Sequence, residues 1–165
     1  MSKSEFENRV SDERWMYEQA VELWGEPYQI DLLIEECAEL IEAVVKERCP
    51  GEAVAEGVAD VEIMLAQITM MVGEPLVQAT KILDTNLIGA CAIMIRLLIH
   101  RRRLRVGNDA LATGIATLNA ILADLKESGW INPERVEEIR GKKLALLSEK
   151  IRQGDPFSAL AALLG

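Results

Sequence analysis

The sequence predicts an all-α fold, and three observations carry that expectation. Apolar residues recur at the 3.6-residue period of a helix along most of the chain. No stretch of useful length alternates apolar and polar residues as a strand does. Gly- and Pro-containing breaks cut the chain into segments of helical length. Composition agrees: half of the 165 residues are apolar and only 4% are aromatic, so Leu, Ile, Val, Ala and Met must fill the core, a set suited to helices. The length suits one domain, or one duplicated unit, with a real interior.

The elements follow in order. Residues 1–12 are expected to be loosely held, and Glu13 to Trp24 reads as a first helix stopped by Gly25 and Pro27. Gln29 to Arg48 is next, with Ile30, Leu33, Ile34, Cys37, Leu40, Ile41, Val44 and Val45 on one arc and Glu35, Glu36, Glu39 and Glu42 on the other. Ala53 to Val72 has an apolar seam (Val54, Val58, Val61, Leu65, Ile68) and a second apolar side holding Ile63, Met64 and Met71. A helix apolar on two sides is buried on two sides, so Glu56 and Asp60 should face protein, and a buried carboxylate there needs a basic side chain or a metal as partner.

After the break at Gly73-Glu74-Pro75, Leu76 to Arg105 and Ala110 to Ser128 read as two further helices, with Asn108 or Asp109 able to cap the second. Asn132 caps and Pro133 opens a final helix running to about Arg152, before an apolar tail, Ser158 to Leu164.

The chain resembles itself. Ile88-Gly89-Ala90-Cys91-Ala92-Ile93-Met94-Ile95 aligns with Ile34-Glu35-Glu36-Cys37-Ala38-Glu39-Leu40-Ile41, and 114–123 aligns with 57–66. Two amphipathic hairpins can align in this way by periodicity alone; the sharper expectation is a duplication in which one hairpin kept the chemistry and the other became scaffold. The core positions are kept and the acids are not: Glu35, Glu36, Glu39, Glu56 and Asp60 become Gly89, Ala90, Ile93, Thr113 and Thr117. The architecture expected is a four-helix-bundle core built from two similar hairpins plus flanking helices. It comprises an acidic hairpin over 13–75, a second hairpin over 76–130 and a closing helix and tail over 131–165, in a single domain.

Several function classes are disfavoured. A net charge of -9 opposes nonspecific nucleic-acid binding, though not a nucleotide that arrives with a cation. Three cysteines make no disulfide framework, and with the polar start MSKSEFENRV they point to a reducing, cytoplasmic setting. The most apolar run, Leu87 to Ile99, is broken by Arg96 and too short to span a bilayer. A single histidine, His100, makes a His-based triad or a His-rich zinc site unlikely to be built here.

The acids are the chemical signal. Alone, E-E-x-x-E is common on solvated helix faces. Here Glu35-Glu36-Cys37-Ala38-Glu39 is followed by Glu56 and Asp60 on the next helix, and by Ala59-Asp60-Val61-Glu62-Ile63-Met64-Leu65 around them. With Trp24-Gly25 and Gln29 upstream, the stretch from Trp24 to Gly73 resembles the MazG-like all-α nucleoside triphosphate pyrophosphohydrolases, whose signature is E-E-x-x-E on one helix and E-x-x-D on the next. The related all-α dUTPases, a fused duplication with one active half, offer a parallel for the acid-free second hairpin. One position departs: Gly57 stands three residues before Asp60, where that family has a glutamate, and Glu56 stands four before.

The resemblance implies hydrolysis of a nucleoside triphosphate to monophosphate and pyrophosphate with Mg²⁺, Mn²⁺ being the alternative ion. It implies Glu36, Glu39, Glu56 and Asp60 as metal ligands, Glu35 orienting or deprotonating the attacking water, and Trp24, Gln29 and Lys143 contacting substrate. It also implies a homodimer, and the apolar tail could be buried against the partner. No nucleic-acid or membrane partner is expected. The rival expectation is a member that kept the fold, lost a ligand at Gly57, and binds nucleotide or protein as an acidic helical module without turnover.

Overall fold

The computed structural model describes residues 3–47, 50–73, 86–104 and 107–154, with side chains from residue 12 onward. Every element among them is helical: α1 (Lys3–Lys46), α2 (Glu52–Val72), α3 (Leu87–Leu104), α4 (Asn108–Glu127) and α5 (Pro133–Gln153). No described helix is long and apolar enough to cross a membrane. The tail after residue 154, Cys49, and residues 74–85 lie outside the described residues.

The first two expected helices are one element bent at Gly25, whose φ of 77° and ψ of 165° interrupt the helix and favour glycine; Pro27 already lies in the resumed helix. The start of the chain, expected to be loosely held, is helical from Lys3 onward. The cap expected at Asn108 or Asp109 is corrected: Gly107 holds the N-cap position and no side chain caps α4. Asn132 does cap α5, accepting from the main-chain N–H groups of Glu134 and Arg135, with Pro133 at the first turn and left-handed Gly154 at the end.

α1 and α2 form one hairpin, α3 and α4 another, and the two pack as a bundle with α5 laid across α1 and α2. The main core joins Leu33, Cys37 and Leu40 of α1, Val54, Val58, Val61, Leu65 and Ile68 of α2, Cys91, Met94 and Leu98 of α3, and Ile115, Leu118 and Leu122 of α4. A second cluster lies on the other side of α2, where Ile63 meets Met16, Tyr17 and Ala20 of α1 and Leu144 and Leu147 of α5. The two-sided burial read from the sequence of this helix is therefore what the fold provides.

The two hairpins repeat one another in their contacts as well as their letters. A Cβ on Gly57 would lie 3.1–3.3 Å from Leu40 atoms; a Cβ on Gly114, the aligned glycine, would press on Leu97 and on Met94, the residue aligned with Leu40. The aligned cysteines, Cys37 and Cys91, meet each other in the core, both fully buried. This contact, then burial, pushes the Cys37 thiol far above its ordinary range; both cysteines sit in the core as small apolar residues do.

Polar ties fix α5. Arg135 holds Glu52 at the start of α2 through two hydrogen bonds, one of 2.8 Å, and Arg140 donates to Tyr17 Oη at 2.9 Å and to Glu13 of α1. Further along, Lys143 reaches Asp60 of α2. The pairs 52/135 and 60/143 rise together, so α5 runs parallel to α2.

Two outcomes test this packing. Asn132→Ala, which strips the cap of α5, lowers the unfolding free energy by about 1 kcal/mol in urea titrations. Gly57→Glu, which restores the letter of the resembled signature, drives a charged side chain into Leu40. It costs at least about 3 kcal/mol, read as a fall in thermal midpoint.

Candidate functional site

The acids lie where the C-terminal half of α1 passes α2 under α5. Their helix phases decide their fates. Glu36 falls inside the buried arc of α1, between Leu33, Cys37 and Leu40, and is only 3% exposed; Glu35 and Glu39 fall outside it and are exposed. On α2, Asp60 is 8% exposed, on the side that meets α5. Glu56 is exposed, which corrects the expectation that it faces protein. One turn before Asp60, it sits past the edge of the buried surface.

Glu36, Asp60 and Lys143 come together. Lys143 Nζ donates to Asp60 Oδ2 at 2.6 Å, both side chains being largely shielded from water. Of the two partners a buried aspartate could have had, this chain supplies the basic side chain, and it does so from α5. Glu36 has no hydrogen-bond or ion-pair partner among the described residues. Desolvation first, then the charges of Asp60 and Glu39, push its carboxyl up to about 8, against a smaller opposing pull from Lys143. Burial also raises Asp60, more than its bond to Lys143 lowers it, with Glu39 and Glu56 adding repulsion. The two rim acids thus act on the site electrostatically while facing water.

Gly57 is a close-packing position. A Cβ there would meet Leu40 at 3.1–3.3 Å, inside the α1–α2 contact. Trp24 and Gln29 lie at the bend of α1. Trp24 packs on the second cluster and sits 6.2 Å from the Tyr28 ring. Gln29 is fully buried, and its amide donates to the main-chain oxygen of Ala20 at 3.1 Å, bracing the bend. Among the described residues, Trp24 Nε1 and Gln29 Oε1 are buried without a partner, and neither residue hydrogen-bonds to the acids. Lys142 pairs with Glu138 on the outer face of α5. A groove of about 900 Å³ between α1 and α5, floored by Trp15, Met16, Gly141 and Leu144, contains none of the five candidate acids.

The chemistry of the donor set fits Mg²⁺ in one of its two usual forms. Among the described residues no three acidic, cysteine or histidine side chains are placed to hold an ion, so a cage made wholly of protein is not assembled. Mg²⁺ more often keeps several waters and takes one or two carboxylates plus substrate phosphates. Glu36 and Asp60, two mutually repelling hard-oxygen donors on facing helices, fit that form, and Glu39 and Glu56 on the rim could join them.

Sequence reasoning located Glu36 and Asp60 but not the bond from Lys143, nor the Arg140–Tyr17–Glu13 and Lys126–Glu62 ties that seat the helices around them. The one available signal was the alignment of basic residues at 135 and 143 with acids at 52 and 60, each eight apart. No family model, curated protein or solved structure matches the chain.

The raised carboxyl of Glu36 has a pH signature. Folded, it holds its proton to about pH 8; its ordinary value is 4.5. Between those values the folded chain binds a proton that the unfolded chain has released, so stability falls as pH rises through the window and levels off above it. Glu36→Gln flattens that decline, which urea unfolding at pH 5, 6, 7 and 8 measures. An equally steep decline in the variant contradicts the assignment.

Proposed function

We propose that the chain is a metal-dependent nucleotide pyrophosphohydrolase of the MazG-like kind, splitting a nucleoside triphosphate into monophosphate and pyrophosphate. The observation that carries this reading is the meeting of Glu36 and Asp60, from two arms of one hairpin, in a shielded spot with an ammonium group beside them. A buried acid without a partner, beside a second held by one ammonium, gains from a divalent cation that takes both as carboxylates. The acid pattern around them supports the same reading.

Bound Mg²⁺ supplies neutralisation of phosphate oxygens and a lowered pKa for water. The chain's residues do the rest. Glu36 and Asp60 hold the metal–nucleotide complex from facing helices. Glu39 and Glu56, at the rim, extend the negative field that draws a cation in. Glu35, exposed beside Glu36 and acting on it electrostatically, orients or deprotonates the attacking water. Lys143, bonded to Asp60, meets triphosphate oxygens in this reading. A dimer and a cytoplasmic setting belong to this reading.

The test is pyrophosphate release from a panel of nucleoside triphosphates with Mg²⁺ or Mn²⁺. Release with at least one nucleotide is expected, falling by at least about 100-fold in Asp60→Asn and in Glu36→Gln. If every nucleotide is left intact at high protein concentration while metal plus nucleotide still raises the melting temperature, the chain is instead the non-enzymatic acidic module.

A further inference from the structure

The geometry points to Lys143 as an exchangeable counter-cation: its ammonium neutralises Asp60 in the nucleotide-free protein, and it leaves Asp60 for triphosphate oxygens when a divalent ion arrives on the nucleotide. The inference rests on the pyrophosphohydrolase reading and adds to it an order of binding, in which metal and triphosphate enter together.

Three observations carry it. The first is an imbalance of partners. Of two buried carboxyl groups, 3% and 8% exposed, only Asp60 has the ammonium, at 2.6 Å, while Glu36 has no partner of its own among the described residues. A divalent ion held by both groups would displace the proton from Glu36 and compete directly with Lys143 for Asp60.

The second is freedom of the lysine. Asp60 is its one hydrogen-bond acceptor among the described residues, and its four-carbon stem lets the head move without the helix moving. The third is that α5 does not depend on this bond for its seat. Arg135 on Glu52, Arg140 on Glu13 and Tyr17, and buried Leu144 and Leu147 fasten it independently. Lys143 can therefore let go while the helix that carries it stays docked.

The consequence is positive coupling between the two ligands. Metal alone must displace an ammonium that then has no anion to hold, and triphosphate alone meets the acids uncompensated. Together, each supplies the partner the other displaces.

The experiment measures binding in the full chain, with Mn²⁺ and a non-hydrolysable nucleoside triphosphate analogue as probes. In the native chain, analogue affinity is expected to rise at least about tenfold when Mn²⁺ is added. In Lys143→Met, affinity for Mn²⁺ alone is expected to rise about tenfold, because the competing cation is gone, while analogue affinity in the presence of Mn²⁺ falls. Thermal melting checks that this variant is folded. If it is not, Lys143→Arg replaces it: a guanidinium fork that grips Asp60 more firmly should weaken Mn²⁺ binding, and unchanged or tighter binding overturns the exchange. Unchanged or weaker Mn²⁺ binding in folded Lys143→Met likewise overturns it and leaves the pyrophosphohydrolase reading standing. If Mn²⁺ does not strengthen analogue binding to the native chain, both are overturned.

Discussion

A helix buried on two faces obliges the chain to cover it twice, and most of this structure answers that demand on α2. One face is closed by the bundle of α1, α3 and α4; the other by the first half of α1 and by α5. Asp60 sits on this doubly covered helix and so cannot settle its charge in water. The residue that settles it must come from a covering element, and Lys143 of α5 does so. The bend at Gly25 serves the same demand, because it lets one continuous element pack on α2 with its second half and reach α5 with its first.

The fold was legible because it rests on periodicity, a local property. The breaks at Gly25, Gly73, Gly107 and Gly154, the cap at Asn132 and the two seams of α2 are written in short stretches of sequence, and the structure uses them. Less visible were the features that depend on which element covers which. Asp60 and Glu56 share a helix face by spacing, yet one is buried and the other exposed, because the covering surface ends between them. Gly57 looked like a missing ligand when set beside a signature, whereas its neighbour Leu40 gives it a packing role. Of the site, Glu36 and Asp60 were readable from spacing; the reach of Lys143 was not, because it depends on the parallel course of α5, more than eighty residues away in sequence.

The resemblance between the hairpins gains from contacts that letters alone do not show. Aligned positions make matching contacts, Gly57 on Leu40 and Gly114 on Met94, and the aligned cysteines touch each other. Contact between like positions is what a near-twofold relation between two similar halves produces at its axis. Away from that axis the halves differ. Where the first has Glu36 and Asp60, the second has Ala90 and Thr117, and the Thr117 hydroxyl turns back to the Thr113 main-chain oxygen at 2.9 Å. Its buried polar group is satisfied within its own helix, so that half makes no call on an outside cation.

The parallel course of α5 along α2 also limits how the closing helix can move. Its two ties to α2 are eight residues apart on both helices, about 12 Å at the rise of an α-helix. Sliding α5 by one turn would carry Arg135 and Lys143 past their carboxylates together, with no second pair of acids at that spacing to receive them: the residues one turn on, Glu56 and Met64, match at one end only. The helix therefore has a single register, like a key cut with two teeth, and any departure from it must be a lift rather than a slip.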